Sequence, residues 1–146
     1  IVAPPALREQ LIHLKTQSDY DTSLPVQIAL AEFIQAGHFE RHIRRIRRVY
    51  ANKRQTLLES LAPIQQIAPL KGLEAGLHAH LELPETINAE QIVVQAGSVG
   101  VNVSTLESYY LERPTVNGLL LGYGGLSVEE IQVGAGKLAQ IILEHN

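Results

Sequence analysis

The stretch from Ser18 to Arg54 constrains the fold most, because it predicts two consecutive helices with a sharp stop between them. Thr22 or Ser23 can cap the first helix, and glycine at position 37 suits the left-handed residue that ends it. The second helix is predicted over 38–61, with one apolar face and a heavy basic load. The rest of the chain is predicted to form a small domain that this long helix enters.

Beyond Pro63, which stops the long helix, the pattern predicts a small sheet with helices packed on it. LHAHLEL at Leu77–Leu83 alternates apolar and polar residues, as a half-buried strand does. Asn88 caps a following helix that ends at Gly97. Ser127 forms a capping box with the glutamate at 130 and opens the last helix. The fold class is therefore α+β, with a small antiparallel or mixed sheet. The predicted helices also include 6–16, 89–96 and 128–143, and the other strand candidates are Gln66–Leu70, the segment of Val101 and Val103, and Leu119–Tyr123, the last buried on both faces.

Composition excludes several classes of protein. The 146 residues carry a net charge of -3, so the chain as a whole does not bind nucleic acid by electrostatics. It has no cysteine, which excludes disulfides, thiol nucleophiles and thiolate metal sites. No apolar run could span a bilayer and no signal peptide opens the chain, so a cytoplasmic protein is expected. The chain lacks methionine and begins at Ile1 on what resembles a strand end, so we expect a fragment.

Arginines crowd the long helix: seven of the twelve Lys and Arg residues fall between Arg41 and Arg54. One interpretation is a phosphate-binding face. The favoured one is a solvated or interface face, because no glycine and only one aromatic residue, Tyr50, interleaves with the arginines, whereas a base-reading surface requires several. Glu40 and Arg44 can pair one helical turn apart.

No spacing of polar residues establishes a metal or catalytic site. His38 and His42 have the i,i+4 spacing of zinc ligands, and His78 and His80 share a strand face, but neither pair has a signalled third ligand. Ordinary polar-face histidines are expected, with no metal site. The glycines of 122–125 fail the phosphate-loop patterns and fit a strand end and turn.

The sequence QIALAEFIQAGHFERHIRRIR at 27–47 resembles the C-terminal part of MocR-type transcriptional regulators of the GntR family. These proteins join a winged helix-turn-helix domain to a fold type I aminotransferase-like domain that binds pyridoxal 5'-phosphate. Close relatives include aminotransferases of the 2-aminoadipate and aromatic types. Three further segments agree in order: GLEAGLH at 72–78, GSVGV at 97–101, and LLLGY with LSVEEI at 119–131.

The resemblance implies a division of the chain. Residues 1–36 would pack on a large domain outside this sequence, and 37–146 would form the small domain, with 38–61 as its long connecting helix. Ile1 to Pro4 resemble a segment that follows the Schiff-base lysine in the family, so that lysine is expected upstream of Ile1. Neither Lys15 nor Lys71 lies in a matching motif. No catalytic residue is therefore assigned, and the fragment alone is expected to hold no cofactor and to catalyse nothing.

Three residues are carried over as site positions. Thr22 and Ser23 match a segment near the cofactor phosphate of the neighbouring subunit in the family, although capping alone accounts for both hydroxyls. Leu120 occupies the position where the family's aminotransferases carry an arginine for the substrate carboxylate. Leucine cannot bind a carboxylate, so either the alignment is shifted there or the ligand is held differently.

The resulting hypothesis is an effector-sensing domain of a transcriptional regulator. It would act in a homodimer, contact DNA only through a separate N-terminal domain, and bind a small amino-acid-like or vitamin effector, with no membrane partner. The alternative enzyme is a pyridoxal-phosphate aminotransferase, which Leu120 disfavours. A third possibility is a free-standing α+β interaction module without a cofactor.

Overall fold

The computed structural model describes residues 3–19, 23–74, 76–111 and 115–146, and it divides into two compact units, 1–45 and 46–146. The boundary between the units falls inside the long helix, which spans the predicted residues. The helices are α1 (Pro5–Asp19), α2 (Leu24–Gln35), α3 (His38–Leu61), α4 (Ala89–Ser98) and α5 (Val128–Glu144), and the strands are β1 (Leu70–Lys71), β2 (His78–Glu82), β3 (Ser104–Thr105) and β4 (Gly118–Gly122). Two short 3₁₀ turns, Ala62–Ile64 and Leu106–Tyr109, complete the described elements.

The N-terminal unit forms the predicted helices and stop. Ser23 is the N-cap residue of α2, and Pro25 sits in the first turn, where its missing N–H leaves no bond unmade. Gly37 has φ 73° and donates its N–H to the Ile34 carbonyl at 2.9 Å, which ends α2 in the left-handed conformation that glycine tolerates best. The other candidate cap, Thr22, lies outside the described residues.

The C-terminal unit is an antiparallel sheet with helices on it, as the α+β prediction required. The strand order is β1-β2-β4-β3, and each neighbouring pair is antiparallel. The central pair joins β2 to β4 with His80 opposite Leu120. Asn88 accepts a hydrogen bond from the N–H of Gln91. The capping box that opens α5 is present in both directions.

The core lies against one face of this sheet. Ala79 and Leu81 of β2 are buried with Leu119 and Leu121 of β4, because alternate residues of a strand point to the same face. Helices α4 and α5 and the last turns of α3 cover these side chains. The buried side chains that these helices supply include Leu57, Leu61, Ile92, Ile131, Leu138 and Ile142.

The opposite face of the sheet is open, which corrects the prediction that β4 is buried on both faces. Leu120 is half-buried and Gly122 is exposed, whereas Gly118 at the start of the strand is buried beside Leu106. Strand β2 is also shorter than predicted: Leu77 is 38% exposed and precedes it, although the alternation of the remaining residues holds.

Two further strand predictions were wrong. Gln66–Leu70 forms a turn in which Ile67 and Ala68 donate to the Ile64 carbonyl, so only Leu70 and Lys71 join the sheet. Val101 precedes β3 because its N–H closes α4 onto the Ala96 carbonyl at 2.8 Å. Gly97, predicted to end α4, lies inside it. The left-handed residue is Gly100, with φ 81°, which forms a Schellman stop.

No helix within the described ranges is both long enough and apolar enough to pass through a membrane.

Candidate functional site

Leu120, the position assigned from the resemblance, lies on the open face of the sheet in a row of residues that crosses all four strands. Lys71 of β1 is opposite His80 of β2, His80 is opposite Leu120 of β4, and Leu120 is opposite Ser104 of β3. The sheet register therefore places an imidazole and a hydroxyl-bearing residue on either side of Leu120. A ligand lying on this face at Leu120 meets an apolar side chain between two polar ones.

The row offers little fixed positive charge near Leu120. His80 Nε2 lies 3.6 Å from the Glu82 carboxylate, so a charge on the imidazole would be partly offset by its neighbour. Lys71 is exposed at the edge strand, two strands away from Leu120. An arginine at position 120 could hold a carboxylate by two hydrogen bonds, whereas leucine offers only apolar contact. The geometry suits a ligand group that is uncharged at this point.

A glycine turn borders this face. Gly72 and Gly76 have positive φ values, 76° and 86°, and Ala75 lies outside the described residues. A Cβ at position 72 would stand 3.2 Å from His80 Nδ1, so the bare backbone of Gly72 packs against the imidazole. The hydroxyl of Tyr123 donates to the Gly76 carbonyl at 3.3 Å, which ties the turn to the end of β4.

Two cations of α3 hold the turns at this end of the sheet, and the sequence pattern alone did not single them out. Lys53 Nζ donates to the Gly124 carbonyl at 2.9 Å, and Arg54 donates to the Leu73 carbonyl at 3.0 Å. In the sequence both belong to the basic load of the helix. The one signal near them is a gap in the apolar face of α3, which runs regularly to Tyr50 and resumes at Leu57. Both cations fall in this gap.

The rest of the basic load divides into a paired and a solvated group. Arg44 contacts Glu40 at 3.1 Å, as the i,i+4 spacing predicted, with both side chains largely exposed. Arg41 lies 3.5 Å from His38 Nδ1. The remaining arginines of α3 are exposed; they are Arg45, Arg47 and Arg48. This arrangement fits the interpretation of a solvated or interface face.

Ser23 opens α2 with an exposed side chain that makes no capping hydrogen bond. Capping therefore does not account for this hydroxyl, although it was the simpler interpretation of the sequence. The N-terminal end of a helix attracts anions through its free N–H groups and dipole, and an uncommitted hydroxyl adds a donor. Ser23 belongs to the N-terminal unit and Leu120 to the C-terminal one.

The histidine pairs differ in their surroundings. The His38 and Phe33 rings contact each other in a tilted arrangement with centroids 5.4 Å apart, and the His80 imidazole faces the Glu82 carboxylate. Across the described ranges, no group of three or more His, Cys, Asp or Glu side chains could hold a metal ion.

Comparison with known proteins gives consistent relatives. No protein-family model matches the chain. It is 32% identical over 139 residues to the uncharacterized HTH-type transcriptional regulator YhdI of Bacillus subtilis, covering 94% of this chain and 30% of that protein. It is 30% identical over 145 residues to the probable rhizopine catabolism regulatory protein MocR of Rhizobium meliloti, covering 98% of this chain and 29% of that protein.

Solved structures give the same fold. The α-aminoadipate aminotransferase LysN of Thermus thermophilus, solved with N-(5'-phosphopyridoxyl)-L-leucine, superimposes with a TM-score of 0.85 at 26% identity. The match covers 99% of this chain and 37% of LysN. The chain thus spans about a third or less of each of these proteins.

Proposed function

We infer the function of this chain from the family to which it belongs: its sequence and fold are similar to those of the C-terminal, aminotransferase-like part of MocR-type transcriptional regulators of the GntR family. We propose that it forms part of the effector-sensing domain of such a regulator. The observation that carries the proposal is the similarity of nearly the whole chain to helix-turn-helix regulators, combined with an aminotransferase fold. DNA would be contacted by another domain of the whole protein, in keeping with the net charge of -3.

The aminotransferase relatives imply pyridoxal 5'-phosphate in the parent family. The uncapped hydroxyl of Ser23 at the start of α2 fits a phosphate contact, and in a homodimer this phosphate would belong to the neighbouring subunit. The bound cofactor acts as an electron sink for amino-group chemistry. We propose that its Schiff-base lysine lies outside this sequence, because neither Lys15 nor Lys71 lies in a motif that matches the family's. The amines of Lys53 and Lys137 donate to the Gly124 and Val99 carbonyls.

The division at residues 36 and 37 remains part of the proposal. Helix α2 exposes apolar side chains around most of its circumference, and a helix of that kind is normally buried among other elements. Residues 1–36 would therefore pack on the large domain of the whole protein, and 37–146 would form the small domain. Closure of the small domain over a ligand would then pass the signal to the DNA-binding domains.

Leu120 favours a regulator over an aminotransferase. Leucine at this position offers no guanidinium to hold an amino-acid carboxylate on the open face. The Glu82 carboxylate lies 3.6 Å from the imidazole of the neighbouring His80. We propose that the effector presents an uncharged group at this point. The second candidate, an aminotransferase, is favoured by the aminotransferases among the relatives and requires the carboxylate to be held elsewhere.

The test uses the full-length protein. Cofactor binding is read from visible absorbance, DNA binding from a mobility shift, and turnover from an amino acid with 2-oxoglutarate. A regulator gives effector-dependent DNA binding and negligible turnover; rapid turnover without DNA binding would overturn the proposal. Leu120→Arg should create affinity for amino-acid carboxylates, while Leu111→Arg, a control at a fully exposed leucine, should not.

Small-angle scattering with and without effector tests the closure of the small domain separately. A more compact particle with effector is expected, and identical profiles would contradict closure.

A further inference from the structure

The two cations that α3 directs at the sheet lie next to each other in sequence and hold different turns. Lys53 Nζ donates to the Gly124 carbonyl after β4, and Arg54 donates to the Leu73 carbonyl before β2. These turns are adjacent in space because β2 and β4 are paired. The bonds are charge-assisted and therefore stronger than a bond between neutral groups.

The Arg54 contact matters because of what precedes Leu73 in the chain. Gly72 packs its backbone against the edge of the His80 imidazole: a Cβ there would lie 3.2 Å from Nδ1 and 3.6 Å from Cε1. On its other side the ring meets the Glu82 carboxylate at 3.6 Å from Nε2. The imidazole is thus confined between a glycine backbone and a carboxylate.

The confining backbone depends on few anchors. It follows the two-residue strand β1 and contains glycines with positive φ, and its described residues, 72–74 and 76–77, form no helix or longer strand. The Leu73 side chain packs partly against the core. The Leu73 carbonyl lies outside the sheet ladder and accepts its bond from Arg54. Loss of this bond removes one of these anchors and loosens Gly72 over the ring, while the β1 pairing and the Tyr123 bond to the Gly76 carbonyl still hold the two ends of the turn.

We propose that Arg54 is a positioning residue for His80. By holding the Leu73 carbonyl, its guanidinium fixes the Gly72 backbone against the imidazole and so sets the ring beside Leu120 on the open face. The helix that carries the chain into the C-terminal unit is thereby coupled to the face that the proposed function assigns to the effector. Only this last connection rests on the proposed function, since the positioning itself requires no ligand.

The experiment measures deuterium uptake in the full-length protein without effector. Amide exchange of the 72–74 segment reports the turn, and slow exchange at imidazole C2 reports the ring, in a His78→Gln background that leaves His80 as the single histidine of its peptide. Arg54→Met is compared with Arg54→Lys and with Arg47→Met, a matched exposed arginine of the same helix.

With Arg54→Met, amide exchange at 72–74 should rise by about three- to ten-fold, as expected for the loss of one hydrogen bond made by a solvent-exposed side chain, and the His80 C2 rate should change. Arg54→Lys should restore both rates, because Lys53 shows that a lysine of this helix can reach a turn carbonyl. Arg47→Met should leave both unchanged.

Two outcomes would overturn the proposal: an unchanged His80 rate in Arg54→Met, or an equal change in Arg47→Met. Lys53→Met separates local from general loosening, because it should accelerate exchange near Gly124 and leave His80 unchanged. Failure of the regulator assignment would show in DNA binding and turnover, and it would leave these exchange rates untouched.

Discussion

The two units differ in the burial of their apolar side chains. Every buried apolar residue among those described lies between Leu57 and Ile142, in the C-terminal unit. Helix α2, although its sequence is as apolar as a core helix, has no buried residue, and Leu30 and Phe33 are 51% and 42% exposed. The C-terminal unit forms a core from its own residues. The N-terminal helices leave apolar side chains exposed, as the proposed packing of 1–36 on a large domain requires.

Burial in the sheet core should give the largest effect. Leu81→Ala removes a fully buried side chain at the centre of β2 and should lower the free energy of unfolding by about 2–5 kcal/mol. Leu30→Ala, the same change in α2, should cost below about 0.5 kcal/mol in the 146-residue chain, because its side chain is half exposed. Urea unfolding followed by circular dichroism measures both. Equal losses of unfolding free energy would contradict the difference in burial between the two units. A larger loss for Leu30→Ala in the full-length protein than in the 146-residue chain would support burial of α2 by another part of that protein.

Close approach of β2 and β4 should give the next effect. A Cβ on Gly118 would collide with the Leu81 carbonyl oxygen and crowd the Leu106 side chain. Gly118→Ala should therefore destabilise the C-terminal unit by about 1–3 kcal/mol through overpacking. Gly125→Ala is the control, because no atom lies within 4 Å of its Cβ position. Thermal melts compare the two, and a neutral Gly118→Ala would mean that the strands separate without cost.

The loop after β2 depends on one side-chain amide. Asn117 Nδ2 donates to the carbonyls of Pro84 and Ile87, both at 2.9 Å and partly buried. Asn117→Ala leaves those carbonyls without this donor and should cost about 1–3 kcal/mol in urea unfolding. Asn102→Ala, at an exposed asparagine, should be close to neutral. If the two substitutions cost the same, the amide is not the anchor of this loop.

The N-caps of α2 and α5 should differ by a smaller amount between the two units. The Ser127 hydroxyl accepts from the Glu130 N–H at 3.1 Å, and Ser127→Ala should cost about 1 kcal/mol. Ser23→Ala removes no capping bond and should change the stability of the 146-residue chain by only about a few tenths of a kcal/mol. In the full-length protein Ser23→Ala should instead weaken cofactor affinity, measured by absorbance titration. An unchanged affinity would remove Ser23 from the phosphate site.

The smallest effect is expected on the exposed part of α3. Glu40→Gln breaks the ion pair with Arg44. The Glu40 and Arg44 side chains are 71% and 61% exposed, so the substitution should lower the free energy of unfolding by at most about 0.5 kcal/mol. Because salt screens exposed charges, the difference should vanish in unfolding experiments at high ionic strength. A cost that persists in high salt would indicate a role beyond this pair.

Much of the C-terminal unit followed from local pattern. The capping box at Ser127, the alternation through β2 and the order of strands and helices were predicted correctly, since each depends on residues near in sequence. The predictions of strands at 66–70 and at 101–103 were wrong because local pattern does not show which N–H groups a preceding turn uses. Their β-branched and apolar residues suit a strand, but the N–H groups of Ile67 and Val101 are taken by the turns that end a preceding helix.

The candidate site was predictable only in part. Leu120 was identified from resemblance, and its place in β4 held, but no local rule gives its neighbours across the sheet. His80 was interpreted as an ordinary polar-face histidine, and its confinement by Gly72 emerges only when β1 and β2 pair. Arg54 carried no distinguishing signal, since its carbonyl partner belongs to a separate turn.

The sequence by itself determined the long helix from His38 to Leu61, because a left-handed glycine before it, the 3.6-residue apolar period within it and a proline after it all act locally. It also determined that an α+β unit with a small sheet would follow. Only the tertiary structure decided the strand order and which sheet face stays open. The register that sets Leu120 between His80 and Ser104 arises from packing strands that are distant in sequence, where burial of one face selects the partners.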